Sequence, residues 1–480
     1  MVHLSALNER IMTKIKFGTD GWRAIIAKEY TVDNVARVTI GTANWIKSNF
    51  ENPSVVVGHD CRFAGELFAE TTAKVFADSG VKVYLAKGFV TTPMISLGAL
   101  NLKTSLGVVI TASHNPPSYN GYKLKGNFGG PLLPDQVQEV EDLIPDENNV
   151  DLDSISLKQL AEKGMLEYVD LEEMYLKHVE ANFDLDAIRN AKVDFAFDSM
   201  YGAGQNIMRR LLPDITHLHG EHNPGFDGQA PEPIHRNLQE FSETIRLSEG
   251  AIDCGLAVDG DADRIGLYNS KGEFVDSHHI ILLLIKYLVE VKKFSGKVVL
   301  AFSVSPKVKK LCEKLGLEVE VVKIGFKHIA GYMVNEDVLL GGEESGGIAI
   351  KGHIPERDGI WMGLTIWEYM VRSGKTLEQL IDEVYKDVGE FKFERIDLHL
   401  KEADKLRIMQ NCKDDKYKSF GAYKVKSVET IDGYKYYFDN EEWVMIRPSG
   451  TEPVLRTYAE SKDTDGAFKI LKAVHETIQK

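Results

Sequence analysis

The chain has 480 residues, 43% of them hydrophobic and 27% charged, the balance of a soluble globular protein too long for one core. A formal net charge of −15 disfavours nucleic acid or an anionic membrane as partner, but leaves room for a small anionic substrate held by clustered Lys and Arg. The four cysteines (Cys61, Cys254, Cys312, Cys412) are scattered without a Cys-x-x-Cys, no apolar run reaches the ~18 residues of a membrane span, and no apolar signal core opens the chain; a reducing cytoplasm fits, whereas a zinc site or disulfide framework does not.

In chain order, Met12-Thr13-Lys14 reads as a second start, so residues 1–11 are taken as an extension without assigned structure. Gly18-Thr19-Asp20-Gly21-Trp22-Arg23 suggests a tight loop exposing an arginine, with a plain turn as the alternative. Val55–Val57 is a buried strand ending in Gly58-His59-Asp60-Cys61-Arg62; a helix over 68–79 and a strand over 81–86 follow, and Thr92-Pro93 breaks the chain before another helix. Strand–helix alternation of this kind implies right-handed crossovers and a largely parallel sheet. Val108–Ile110 is a further buried strand, and Thr111-Ala112-Ser113-His114-Asn115-Pro116-Pro117 leaves Ser113 on a loop beyond its carboxyl end, where open α/β sheets place their chemistry. An ordinary Ser/Asn/Pro turn is the alternative there.

Residues 132–192 are acidic and helix-rich without visible chemistry, and Glu139–Glu147 reads as a solvated face. A second unit opens at Val193–Phe197, with Gly202-Ala203-Gly204 read as strand–helix packing rather than a nucleotide loop. Residues 222–236 form a long Pro/Gly-rich loop, 251–258 lead into an acidic loop, and His279–Lys293 is a buried helix closing the unit. A third unit starts at Lys297–Ala301, contains Lys323-Ile324-Gly325-Phe326-Lys327, and carries an amphipathic helix over 361–373. Short strands at 393–400, 425–431, 434–438 and 443–447, with a helix over 467–479, make a small antiparallel α+β unit. The expected domains are 12–188, 189–295, 296–391 and 392–480.

Four loops carry the chemistry. Asp259, Asp261 and Asp263 alternate, so their side chains converge, a donor set for a hard cation such as magnesium. A calcium EF-hand is rejected, because its required glutamate and glycine positions hold Ser270 and Arg264. Ser113 lacks a Gly-x-Ser-x-Gly elbow, and His114 is its immediate neighbour, which argues against a protease-type triad and for a serine that carries phosphate on the metal. Lys123 follows closely enough to reach that phosphate, with a surface lysine as the alternative, and Lys125 shares its face. Arg447-Pro448-Ser449-Gly450-Thr451 has the donors of an anion clamp, and Glu343 in Gly341-Gly342-Glu343-Glu344-Ser345-Gly346-Gly347 suits paired hydroxyls.

With these four motifs in this order over nearly the whole chain, the sequence resembles the α-D-phosphohexomutase family. The resemblance implies three similar mixed α/β units with largely parallel sheets and a C-terminal α+β domain of TATA-binding-protein type. It further implies Ser113 phosphorylated in the active enzyme, Mg²⁺ on Ser113, Asp259, Asp261 and Asp263, and catalytic roles for His114 and for Lys123 as proton acceptor. Arg23, Arg264 and Lys327 would meet the substrate's phosphates, Glu343 and Ser345 the sugar hydroxyls, and Arg447, Ser449, Gly450 and Thr451 the non-reacting phosphate. The loop departs from the Ser-Gly-His form of bacterial phosphomannomutase/phosphoglucomutase enzymes, and His353 with Arg357 in Gly352–Gly359 looks like the phosphoglucomutase branch, although His353 also fits a structural turn. The implied activity is exchange of glucose 1-phosphate and glucose 6-phosphate, with glucose 1,6-bisphosphate as intermediate and activator, in a monomer or homodimer. Mannose or aminosugar phosphates, a sugar-phosphate binder that lost catalysis, and a phosphatase are the rivals.

Overall fold

The computed structural model describes residues 14–18, 20–448 and 454–479. Strands β1 (Trp22–Ile25), β2 (Ser54–His59), β3 (Lys82–Ala86), β4 (Leu106–Ile110), β5 (Tyr119–Gly126) and β6 (Leu166–Val169) form a first sheet in the order β1-β5-β4-β2-β3-β6. The second holds β7 (Phe195–Asp198), β8 (Thr216–Leu218), β9 (Cys254–Val258), β10 (Ile265–Asn269) and β11 (Phe274–Val275), ordered β11-β10-β9-β7-β8. The third holds β12 (Lys297–Ala301), β13 (Val319–Val322), β14 (Val338–Gly342) and β15 (Ile348–Ile350), ordered β13-β12-β14-β15.

One pattern recurs in all three. A first strand (β2, β7, β12) lies between a second (β3, β8, β13) and a third (β4, β9, β14), all parallel, and a fourth (β5, β10, β15) returns antiparallel beside the third. The repeat that the sequence shows only as βα alternation is therefore a repeat of topology. The serine loop joins β4 to β5, the acidic loop β9 to β10, and the sugar loop β14 to β15, so three motifs far apart in sequence occupy one topological position. The third strands read Leu-Gly-Val-Val-Ile, Cys-Gly-Leu-Ala-Val and Val-Leu-Leu-Gly-Gly and are buried at every residue. They show no alternation because helices cover both faces of such sheets.

The fourth unit is an antiparallel sheet of β16 (Lys392–His399), β19 (Ser427–Glu429), β20 (Tyr434–Tyr437), β21 (Trp443–Pro448) and β22 (Val454–Ser461), ordered β16-β22-β21-β20-β19, with a small hairpin of β17 (Ser419–Phe420) and β18 (Tyr423–Lys424). The helix Thr464–Ile478 covers it with Ile470, Leu471, Val474 and Ile478.

Several expectations change. The helix Gly359–Ser373 is not amphipathic: Gly359 to Met370 are all buried, because the helix is wedged among β9, β10, β15 and neighbouring helices. Gly363 permits this, since a Cβ there would meet Leu256 at 2.2 Å. The apolar run from His279 is a helix only over Ser277–Lys286 and then widens into a π-turn, Tyr287–Val291. The acidic segment supplies β6, and its carboxylates do more than face water: Glu139 accepts from the Trp45 indole at 2.7 Å and Glu141 from the Phe17 N–H at 2.8 Å. Strand β22 is an addition to the expected elements, because Arg456, Thr457, Glu460 and Ser461 mask its pattern; it lies between β16 and β21, and Glu460 is 1% exposed.

At the end of β7, Asp198 accepts from the Met200 N–H at 2.8 Å and from His219 Nδ1 at 2.9 Å, fixing the start of the long loop after β8. Met200, Tyr201, His219, Phe226 and Asp227 all have positive φ, a concentration of backbone strain that this bond helps to hold. The hydrogen bond to Asp198 raises the His219 pKa from 6.5 to about 9. Because the folded value lies above the unfolded one, the bond's stabilisation is complete below pH 6.5 and lost as pH rises to about 9. The thermal midpoint should fall across that window, and His219→Gln should flatten the fall; an unchanged slope would contradict the assignment.

Candidate active site

Ser113 is fully buried and adopts φ 52°, a left-handed conformation that serine takes only when its surroundings impose it. Those surroundings are explicit. Arg62 Nη2 donates to Ser113 O and Asn115 O, each at 2.6 Å, and Nη1 to Pro116 O at 2.9 Å and Tyr119 O at 3.2 Å. One guanidinium thus satisfies four carbonyls of the loop, while Asp60 lies 3.3 Å from its Nε and Phe226 packs on its face. Thr111 Oγ1 accepts from Ser113 N at 2.9 Å and donates to Asp60 at 2.5 Å. From the second unit, Gly260 presses on the turn: a Cβ there would lie 2.7 Å from Ser113 O.

The Ser113 hydroxyl donates to Asp259 Oδ2 at 2.6 Å. Asp259, Asp261 and Asp263 are each fully buried, with candidate ligand oxygens within 4.8 Å of one another. Asp259 Oδ1 accepts the N–H groups of Asp263 and Arg264 at 2.9 and 3.1 Å, which closes the loop; Ala262 takes φ 58° within it. Asp261 Oδ2 accepts from Thr92 at 2.5 Å and Lys123 Nζ at 2.8 Å, and Asp263 Oδ2 from Lys123 at 2.9 Å. Asp261 Oδ1 and Asp263 Oδ1 are buried with no hydrogen-bond partner. Oxygen donors converging with unused lone pairs fit a hard divalent cation such as magnesium. Burial, followed by the charges of Asp261 and Asp263, raises the Asp259 pKa well above 3.8, whereas Lys123 overrides burial at Asp261 and lowers it.

Lys123 is not a surface lysine: its side chain is wholly buried, and Asp20 joins the two loop aspartates around Nζ at 2.9 Å. Burial opposes its charge, but Asp20, Asp261 and Asp263 prevail and raise its pKa. His114 Nδ1 lies 3.3 Å from Ser113 Oγ, closer than sequence neighbours normally allow, because the left-handed turn at Ser113 brings them together. Burial and the charges of Arg264, Arg23 and Lys123 push the imidazole pKa well below 6.5, so His114 is neutral at physiological pH. Arg23 Nη1 donates to Asn115 Oδ1 at 2.6 Å, beside the serine loop, and Arg264 Nη1 lies 3.5 Å from Glu232. Lys327 lines a gap with Asp20 and Gly21 of the first unit. Glu343 is 6% exposed, accepts the Gly325 N–H at 2.9 Å, and is pushed by burial to about 7; Ser345 is half-buried on the same loop. Arg447 faces Asp432 at 3.1 Å, whereas Ser449, Gly450 and Thr451 lie outside the described residues.

Two expected substrate contacts are engaged by other side chains of the protein. The His353 side chain is wholly buried, bonded through Nε2 to Asp358 at 2.9 Å and through Nδ1 to His178 at 3.2 Å, and stacked on Trp361 at 3.8 Å. It braces the turn before the buried helix and does not face the loops. Arg357 is 5% exposed at its side chain and bound to Asp20 and, at 2.8 Å, to Asp263, which places it beside the acidic loop.

Asp20, which binds Lys123 and Arg357, carries no motif signal of its own although it stands within Gly18–Arg23. Nor does any motif mark the role of Arg62, or of Glu356, which pairs with the buried Lys125 at 2.7 Å and accepts from Ser96 at 2.9 Å. Charged residues near turns are the available signal, but their partners lie far along the chain: Arg62 serves carbonyls from Ser113 to Tyr119, and Asp20 and Lys125 reach Arg357 and Glu356 of the third unit.

Four family models, described as phosphoglucomutase/phosphomannomutase α/β/α domains I, II and III and C-terminal domain, match residues 14–151, 173–272, 276–388 and 400–476 respectively. A phosphoglucomutase/phosphomannomutase of Thermococcus kodakarensis is 30% identical over 461 residues, 95% of this chain and 96% of the relative. A phosphoglucosamine mutase of Methanococcus maripaludis is 31% identical over 460 residues, 95% and 96% respectively. A crystal structure from Thermus thermophilus described as a phosphomannomutase superposes with TM-score 0.86 at 31% identity, over 98% of this chain and 100% of that one. The chain therefore belongs to the phosphoglucomutase/phosphomannomutase family of phosphohexomutases.

Proposed function

We propose that this phosphohexomutase interconverts glucose 1-phosphate and glucose 6-phosphate through a phosphoryl group carried on Ser113. The observation that supports the reading most is the Ser113 hydroxyl, strained and buried, 2.6 Å from one of three convergent carboxylates and backed by a buried lysine. Magnesium held by Asp259, Asp261 and Asp263 would supply charge neutralisation at the transferring phosphoryl group.

The protein's own part is positioning. Arg62 and Thr111 fix the serine turn, so Oγ points at the acidic loop rather than at its own backbone. Transfer breaks the Ser113 O–P bond and makes an O–P bond to a substrate hydroxyl, whose proton leaves; return from the opposite phosphate of the bisphosphate restores phosphorylated Ser113. Lys123 is held protonated by three carboxylates that take up its three N–H donors, so in this arrangement it offsets phosphoryl charge without a donor to spare. To accept the hydroxyl proton it must first part from them. Neutral His114 places a ring nitrogen beside Ser113 Oγ, where burial and the nearby cations weaken it as a base. Arg23 and Arg264 would offset phosphate charge, Glu343 with Ser345 would meet ring hydroxyls, and Arg447 with Ser449, Gly450 and Thr451 would hold the distal phosphate. Glu343, near neutrality in pKa, can both accept from and donate to hydroxyls.

An aminosugar phosphate is the second reading, favoured by relatives named phosphoglucosamine mutase. The loop Glu343-Glu344-Ser345-Gly346-Gly347 still points to glucose by its departure from Ser-Gly-His, but His353 adds nothing, since its ring is committed to Asp358, His178 and Trp361.

In an assay with Mg²⁺ and trace glucose 1,6-bisphosphate, glucose 1-phosphate should turn over faster than mannose 1-phosphate or glucosamine 1-phosphate; the reverse order would reassign the substrate. Ser113→Ala should lower kcat by ~10³-fold or more. Arg62→Lys keeps the charge but loses the fork, and should lower kcat by ~10²-fold with a small change in KM, because a misplaced nucleophile fails at the chemical step. A large KM effect with kcat unchanged would contradict its role. Asp261→Asn should weaken Mn²⁺ binding, read by electron paramagnetic resonance, by ~10-fold or more.

A further inference from the structure

The turn Ile431-Asp432-Gly433 between β19 and β20 lies at the seam of the third and fourth units. Asp432 Oδ2 accepts the N–H of Ile324 at 3.0 Å and lies 3.1 Å from Arg447 Nη2. The next N–H along, from Gly325, donates to Glu343 Oε1 at 2.9 Å. One carboxylate oxygen of the fourth unit therefore joins Arg447 to the backbone that holds Glu343. Gly433 keeps the turn against the arginine: at φ 99°, a Cβ there would stand 2.8 Å from Ile446 O and 3.0 Å from Arg447 Cβ.

A second tie runs beside the first. Lys435, 3% exposed, donates to Phe302 O at 2.9 Å and Val304 O at 3.0 Å and lies over the Trp443 ring. Between those carbonyls, the Ser303 hydroxyl binds the Glu344 side chain, next to Glu343. Among the contacts between the third and fourth units, these two lie one step from the sugar loop.

We propose that Asp432 is a positioning residue that aims Arg447 and couples it to Glu343. The proposal rests on the reading of Arg447 and Glu343 as phosphate and hydroxyl contacts. An arginine has five donors and a flexible stem; Asp432 engages one edge and leaves the others for phosphate, with the rotamer entropy already lost before substrate arrives. Because the same oxygen holds Ile324, a shift of the fourth unit moves the phosphate contact and the sugar contact together. The Asp432 side chain is 25% exposed, so water can replace it at the Ile324 N–H and its removal need not unfold the chain.

The test uses the full chain carrying Ser113→Ala, with glucose 1-phosphate as titrant in calorimetry, and the active enzyme for kinetics. Asp432→Ala should weaken binding ~10-fold and raise KM more than it lowers kcat. Asp432→Asn, which retains an acceptor for Ile324 but loses the charge facing Arg447, should fall between. Both should keep the parent's thermal midpoint to within a few degrees. In a double-mutant cycle, Asp432→Ala should add less than ~2-fold once Arg447→Ala is present, and its effect should likewise shrink beside Glu343→Gln. Effects that multiply in either pair would overturn the proposal. So would Asp432→Ala binding like its parent while Arg447→Ala binds weakly, an outcome that spares the phosphate reading. Unchanged binding in Arg447→Ala would overturn both.

Discussion

Three carboxylates buried within 4.8 Å of one another are the constraint on which the rest of the active site depends. Like charges out of water repel strongly and lose their hydration, so such a cluster persists only where donors or a cation are fixed around it. The donors come from everywhere: Ser113, Thr92 and Lys123 from the first unit, Arg357 from the third, and the loop's own N–H groups. Asp20 then holds Lys123 and Arg357 from behind. The acidic loop is therefore the electrostatic joint of the first three units, and its convergent oxygens could also hold a cation.

That joint is possible because the three units share one topology. In each, the third strand turns into an antiparallel fourth, and the loops at those turns touch one another, Gly260 against Ser113 and the Ile265 N–H on Gly346 O. The turn is where an α/β sheet releases its backbone at the carboxyl ends, and a fold used three times presents three different turns to one place. Close approach is needed, and small residues supply it. Gly260 meets the Ser113 carbonyl, and Gly346 lies against Ile265, where a Cβ would be 2.5 Å from the carbonyl oxygen.

Much of this was legible in the sequence because each motif is contiguous. Ser113, the alternating aspartates and Glu343 each announce themselves within a few residues, and buried apolar runs before them mark the strands. What stayed hidden is long-range. Arg62 serves a carbonyl 51 residues away and Asp20 binds an arginine 337 residues away, and no local spacing encodes either pairing. His353 shows the converse: it stands in an exposed-looking Gly-His-Ile-Pro turn, yet Trp361 and His178 take up its ring, as the structural-turn alternative expects. The helix Gly359–Ser373 looked amphipathic because Glu368 and Arg372 interrupt it, but Glu368 is buried and bound to Lys292 at 2.9 Å and to Arg372 at 2.7 Å. Strand β22 was lost to the same effect, charged residues kept inside by partners that the sequence does not display.

If Ser113 carries the phosphoryl group within this cluster, the phosphate must be found on it and must pass to sugar. The most direct measurement is intact-mass spectrometry with peptide mapping after incubation with glucose 1,6-bisphosphate and Mg²⁺, then after removal of the bisphosphate and addition of excess glucose 1-phosphate. The account predicts one phosphate, mapped to Ser113, that leaves the protein on addition of the monophosphate and appears as sugar bisphosphate. A chain that takes up no phosphate, or takes it up on another residue, would contradict the account.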